Sequence, residues 1–210
     1  MSIANSQDQS KEYRKQLKVR IVETAMDAFA RQGIRAVKMD DIAHALGISK
    51  RTLYEIYETK EAVLFEGVRI YADEHVKRMS EVVAQSNHVM DVILAAYRNK
   101  IEEFGRVSPD FYTDLERYPR ILKYIQKDSH KRDTLFYEFM QRGVKEGYFR
   151  SDVNYEFIPH LFSALGRYMM ENRLYKQFPV EVVFRNFTLI SLRGICTQKG
   201  IDFLDTYLNG

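Results

Sequence analysis

Met39-Asp-Asp-Ile-Ala-His-Ala-Leu-Gly-Ile-Ser-Lys-Arg-Thr-Leu-Tyr-Glu-Ile-Tyr-Glu-Thr-Lys60 is the stretch whose reading decides the fold. Two short helical periods flank Gly47. In the first, over about 39–46, Ile42, Ala43 and Leu46 share one side; in the second, over about 50–57, Leu53, Ile56 and Tyr57 face inward. Gly47 can take the left-handed conformation that a sharp break needs, and Ser49 is placed to cap the second helix. Small Ala43 lets the helices approach, and Ile48 and Leu53 plug the shared core. This is the form of a helix-turn-helix, in which a fixed corner holds the outer face of the second helix where it can enter a major groove. That face carries Lys50, Arg51 and Tyr54, with Thr52 near its N-terminus. Arg and Lys donate to guanine edges or phosphates, and the hydroxyls reach phosphate. Lys60 opens the next helix, where its charge and the helix N-terminus together suit a phosphate.

Working outward, Leu17, Ile21, Ala25, Ala28 and Phe29 form one helical stripe that ends before Gly33. Lys11, Arg14, Lys15, Lys18 and Arg20 stand against Glu12 alone, either as a phosphate-attracting cluster or as a plain solvated face. Downstream, Thr59 is the expected cap of a helix that carries Val63, Leu64, Val68 and Tyr71 towards Val83. After a turn at 85–87, helical patterns cover about 88–106, 109–127, 129–146, 155–177 and 179–198, with a polar connection at 147–154. Pro109 suits a first turn, whereas Pro119 interrupts its segment. A helix begun at Tyr155 would place Pro159 inside the regular ladder, so that helix starts later or kinks. No strand, internal repeat or low-complexity tract is evident. The expected class is all-α: a three-helix head over 11–58 and a helical bundle over 59–210.

Several motifs then fall in order. Ile21-Val-Glu-Thr-Ala-Met-Asp-Ala-Phe29, Gly33, Met39-Asp-Asp-Ile-Ala43, Gly47-Ile-Ser-Lys50, Thr52-Leu-Tyr54 and Lys60-Glu-Ala-Val-Leu64 resemble the TetR (tetracycline-repressor-like) family of bacterial regulators. The resemblance covers about a quarter of the chain, roughly Leu17 to Val68. It implies a DNA-binding head, a connecting fourth helix, and a homodimer on a palindromic operator in double-stranded DNA. It carries DNA contact over to Lys38, Lys50, Arg51, Thr52, Tyr54 and Lys60. Two places depart from the family pattern. Arg51 stands where a small residue is common, and Glu55-Ile56 replaces an aromatic or His pair. Glu55 can accept from a cytosine amine, pair with Arg51 at i+4 or point to solvent; the pair is favoured. Lys38, where Ser or Thr often caps, gives up some capping and adds a cation near DNA.

Composition bounds the rest. In 210 residues, 45% hydrophobic and 29% charged, the chain has the balance of a soluble globular protein that can bury a core. A net charge of +3 is too small by itself to argue for nucleic acid. No apolar run reaches the roughly 18 residues of a membrane span. The polar start lacks a secretory pattern, and a lone Cys196 suits a reducing cytoplasm, so a cytoplasmic location is expected. His44, His75, His88, His130 and His160 form no i, i+4 pair, and no metal or cofactor is expected. Hydrolase, zincin, P-loop and dinucleotide motifs are missing, so no enzyme is expected.

The central helices are rich in aromatics, and core packing accounts for most of them. A cavity for an apolar or aromatic effector is the functional alternative, and the resemblance favours it. Its expected lining is Tyr97, Phe104, Phe111, Tyr112, Phe136, Tyr137 and Met140. The last two long patterns are apolar on more than one face. Either they lie covered within a monomer or they form a symmetric four-helix interface, and the resemblance selects the dimer, through Phe162, Leu165, Met169, Val183, Phe187 and Ile190. The expected function is a repressor released from its operator by a small molecule. A ligand-dependent activator, a corepressor-requiring regulator, or a helical adaptor without DNA binding are the alternatives.

Overall fold

The computed structural model describes residues 2–127 and 129–209, with side chains over 11–103, 105–125, 134–169 and 171–207. In chain order the helices are α1 (Ser2–Gln32), α2 (Met39–Ala45), α3 (Lys50–Ile56), α4 (Lys60–Gln85), α5 (Val89–Phe104) and α6 (Pro109–Leu115). They continue with α7 (Pro119–Lys127), α8 (Ser129–Lys145), α9 (Ile158–Glu171), α10 (Val180–Ile195) and α11 (Gln198–Asn209). Leu174–Lys176 adds a turn of 3-10 helix, and among the described residues the only β pairing is one bridge, Phe149 to Cys196. The fold is all-helical, with the N-terminal helix-turn-helix in place.

The helices group into two compact units. One holds the residues up to Glu74 together with Asp110–Ile121; the other holds His75–Pro109 and everything from Leu122 onward. The breaks between them fall inside α4, at the start of α6 and inside α7. The head takes the first half of α4 and, from far along the chain, α6 with the start of α7.

In the first unit α1 buries Leu17, Ile21, Ala25 and Phe29, one face at four-residue spacing. Each large apolar side chain withdrawn this way contributes about 1.5–3 kcal/mol. The helix ends at Gly33, whose N–H donates to Phe29 O at 2.9 Å with φ at +85°. Glycine is required there twice over, because a Cβ would also lie 2.9 Å from the Cβ of Asp110. Asp41 reaches back to accept from Lys38 N at 2.8 Å, so the acidic half of a capping box survives although Lys38 cannot supply the other half. Gly47 turns the chain at φ +65°, Ile48 N donates to Ala43 O at 3.0 Å, and Ser49 Oγ accepts from Thr52 N at 3.0 Å. Leu53, Ile42 and Ala43 close the corner as fully buried residues.

The second unit builds its core from α5, α8, α10 and α11 around Val89, Met90, Met140, Phe149, Ile195 and Leu204. Pro119 begins α7, and α9 starts at Ile158, late enough that Pro159 falls in its first turn where no N–H is needed. The pattern drawn through 155–177 thus divides into α9 and the 3-10 turn. α11 has no counterpart in the sequence analysis. It is held by Thr197, which donates from its hydroxyl to Gly147 O at 2.7 Å, and by an Arg193–Asp205 ion pair. Cys196 is buried at the bridge it forms with Phe149, and burial pushes its thiol up to about 11, so it behaves as a packing residue.

Candidate nucleic-acid interface and effector cavity

Ser49 anchors the start of α3 and Leu53 its inner face, which leaves Lys50, Arg51 and Tyr54 exposed on the outer one. Tyr54 is 46% exposed. Neither cation is free on this surface. Lys50 is paired with Asp40 of α2, and Arg51 Nε donates to Glu55 at 2.9 Å, the i+4 pair favoured on spacing. Each carboxylate raises its partner's pKa, so both side chains keep their charge. The Thr52 hydroxyl lies 2.8 Å from Ser49 Oγ, so it serves the cap, while Lys38 is exposed at the start of α2.

Lys60 requires a correction. Its ammonium donates to Ile34 O at 2.7 Å and to Val37 O at 2.8 Å, so two of its three hydrogens are spent inside the head. Burial lowers its pKa, and Asp114 and Asp41 oppose that fall. The residue expected to hold a phosphate instead holds the turn between α1 and α2. Asp114, only 9% exposed, grips the same turn by accepting from Arg35 N at 2.6 Å. Sequence reasoning missed Asp114, since nothing in its neighbourhood marks a residue of α6 as part of the head. It also missed Arg14, which donates to Glu55 O at 2.9 Å and sets a cation on the C-terminal end of α3.

The second unit holds a half-open cavity of about 970 Å³. Its wall takes side chains from α4, α5, α8, α9 and α10. Of the residues expected to line it, Tyr97, Phe136 and Met140 do. Tyr137 is turned outward at 40% exposure and is not on the wall. Phe111 and Tyr112 belong to the other unit, where they pack edge to face at 5.8 Å. The side chain of Phe104 lies outside the described residues, as does that of His130.

Among the residues assigned to an intersubunit face, Phe162 and Phe187 meet edge to face at 4.8 Å and both line the cavity. Leu165, Met169 and Val183 are half-buried, and Ile190 is 72% exposed. No three His, Cys, Asp or Glu side chains among the described residues are grouped to hold a metal. No helix among them is long and apolar enough to cross a membrane.

Residues 21–66 match the family described as bacterial regulatory proteins, tetR family. The transcriptional repressor KstR2 of Mycobacterium tuberculosis is 26% identical over 144 residues, which is 66% of this chain and 72% of the relative. Over residues 21–66 the chain carries the DNA-binding segment of that family. The solved structure of the ketosteroid transcriptional regulator KstR2 superimposes with TM-score 0.56 at 22% identity, covering 86% of this chain and 95% of that one. A transcriptional regulator from Saccharomonospora viridis in complex with choline gives TM-score 0.69 at 20% identity, covering 88% and 100%. With that segment folded as a helix-turn-helix, the chain is a DNA-binding transcriptional regulator. The family match stops at residue 66, inside α4, so the cavity's chemistry has to be read from its own residues.

Proposed function

We propose that this chain is a TetR-family regulator, a cytoplasmic homodimeric repressor that leaves a palindromic operator when an apolar small molecule fills the cavity of its second unit. The observation that carries the reading is α4. Its first half buries Val63, Leu64 and Val68 in the head, and its second half contributes His75, Val76, Met79, Ser80 and Val83 to the cavity wall. A ligand that displaces that wall acts on a helix shared with the DNA-binding unit. Two heads must sit about one DNA turn apart, roughly 34 Å, to occupy successive major grooves. A coupling energy of only ~1–3 kcal/mol then changes operator affinity about 5- to 150-fold. Lys38, Lys50, Arg51 and Tyr54 are the DNA contacts in this reading, with Arg14 and the neighbouring basic residues of α1 adding phosphate attraction. The dimer forms through α9 and α10, which explains why their apolar side chains are exposed in one chain. The name repressor is borne by the KstR2 relative and supports the sign chosen.

Fluorescence anisotropy on duplex DNA from upstream of the protein's own gene tests the reading, run at several salt concentrations. Sequence-preferring binding with a steep salt slope is expected. Equal binding to unrelated duplex, or a stoichiometry of one chain per palindrome, would refute it.

A further inference from the structure

Resting on the reading that the effector enters this cavity, we infer that it is a bulky, neutral, ring-bearing molecule with a hydrogen-bonding carbonyl, and that Thr188 recognises that oxygen. The volume of about 970 Å³ stands near the top of the roughly 300–1,000 Å³ span of small-molecule sites, so a choline-sized ligand would leave most of it empty. The wall is built of rings. Tyr97 and Phe184 stack at 6.2 Å with planes 17° apart, Phe162 meets Phe187 edge to face, and Phe136 and Phe139 join them. Such walls offer flat apolar faces to fused rings.

The two cations on the wall are already engaged, and its one carboxylate faces solvent. Lys100 donates to both oxygens of Glu103 at 3.1 and 3.2 Å, Arg142 donates to Glu146 at 2.6 Å, and Glu138 is exposed. A fixed charge on the ligand would be stripped of water against rings while the wall's lysine and arginine already face carboxylates.

Thr188 supplies the polar contact. It stands on the wall near the middle of α10, 9% exposed, and its hydroxyl is buried without a hydrogen-bond partner. A mid-helix threonine ordinarily satisfies itself on the carbonyl one turn back, and this one does not. An orphaned buried hydroxyl is destabilising and calls for an explanation. A χ1 step exchanges the threonine hydroxyl and methyl, and a ligand carbonyl in the cavity would then accept from it.

Nile red is a fitting probe: neutral, tetracyclic, with one ring carbonyl and an emission that reddens when that carbonyl accepts a hydrogen bond. Titration into the full-length protein should give saturable, red-shifted emission. Thr188→Val should weaken binding about three- to tenfold, the loss of one hydrogen bond, and shift the emission to the blue. The same substitution should raise the unfolding midpoint of the ligand-free protein, since it removes the orphaned hydroxyl, while Thr188→Ser should retain both affinity and colour. A purely structural threonine would not move stability and affinity in opposite directions.

Wild-type affinity and colour in Thr188→Val would overturn the assignment, as would displacement of the dye by choline or decanoate at comparable concentrations. Failure to take up the dye by protein that still binds its operator would also overturn it, and would leave the regulator reading intact. If the dye behaves as expected but leaves operator affinity unchanged, the cavity's chemistry stands and its effector role falls.

Discussion

Two places in this molecule expose groups that a lone domain would rather cover. On the head, Lys50 and Arg51 project from α3, yet each is matched by an acid of the same unit, Asp40 and Glu55. On the second unit, Phe157, Tyr168, Val182 and Ile190 project from α9 and α10 or just before them, exposed among the described residues. Exposed charge is well hydrated and tolerates mispairing; exposed apolar surface of this extent is a standing drive to associate. The head can therefore exist unliganded with its binding face in water, while the second unit, in the reading proposed here, is completed by a second copy laid across α9 and α10. In the reading proposed here, DNA is a conditional partner and the second copy a constitutive one.

Ile190→Glu should produce the largest change. At 72% exposure it costs nothing to a monomer, but in a symmetric interface it would bury two uncompensated charges. Such a burial costs ~3–5 kcal/mol, so the dimer dissociation constant should rise by about two to four orders of magnitude. Sedimentation equilibrium measures it. A variant that remains fully dimeric would mean that α10 is not the shared surface, and the contrast drawn above would fail.

Lys60→Met comes next and sharpens the correction to its role. Removing a charged donor from two backbone carbonyls should lower stability by about 1–3 kcal/mol, read by urea titration. The salt slope of operator binding should stay as in the wild type, because no phosphate contact is lost. A slope shallower by about one, with unchanged stability, would return Lys60 to the DNA.

These cases show what was legible in the sequence and what was not. The corner from Met39 to Tyr57 could be read because its determinants are local: a left-handed glycine, a serine cap and an apolar period act over a few residues. Lys60 could not be read, since the choice between a phosphate and the carbonyls of Ile34 and Val37 depends on where α1 ends relative to α4. Phe111 and Tyr112 were aromatic residues in a central helix, but the segment 110–121 packs with the head, a tertiary preference that periodicity does not encode. α11 escaped notice because its cap, Thr197, follows directly on the apolar run of α10 with no glycine or proline between them. On the cavity wall, Tyr97, Phe136 and Met140 were found by composition and spacing, whereas Thr188 gave no signal until its missing partner could be seen.

Tyr54→Ala should have a moderate effect confined to the head. Its side chain is half in solvent and makes no described hydrogen bond with its own unit, so folding and dimerisation should persist. Operator affinity should drop about tenfold, within the ~1–3 kcal/mol range of a single groove contact. Anisotropy titration against wild type decides it, and an unchanged constant would remove Tyr54 from the interface.

Glu55→Gln should have the smallest effect and the most informative direction. The carboxylate holds Arg51 at 2.9 Å on a fully solvated surface, where such pairs add little to stability, so the unfolding midpoint should not move. The backbone oxygen of Glu55 still accepts from Arg14 in the variant, and α3 keeps its C-terminal cation. What changes is the charge that DNA meets, with one acid gone and one guanidinium released. Operator affinity should therefore rise, by about twofold, with a steeper salt slope as Arg51 joins the phosphates. A fall in affinity confined to one base pair of the operator would mean that Glu55 accepts from a cytosine amine or orients Arg51 for a guanine. The acid would then be part of the sequence readout, and the exposed charges of the head would be shaped for one particular partner, just like the apolar face of α10.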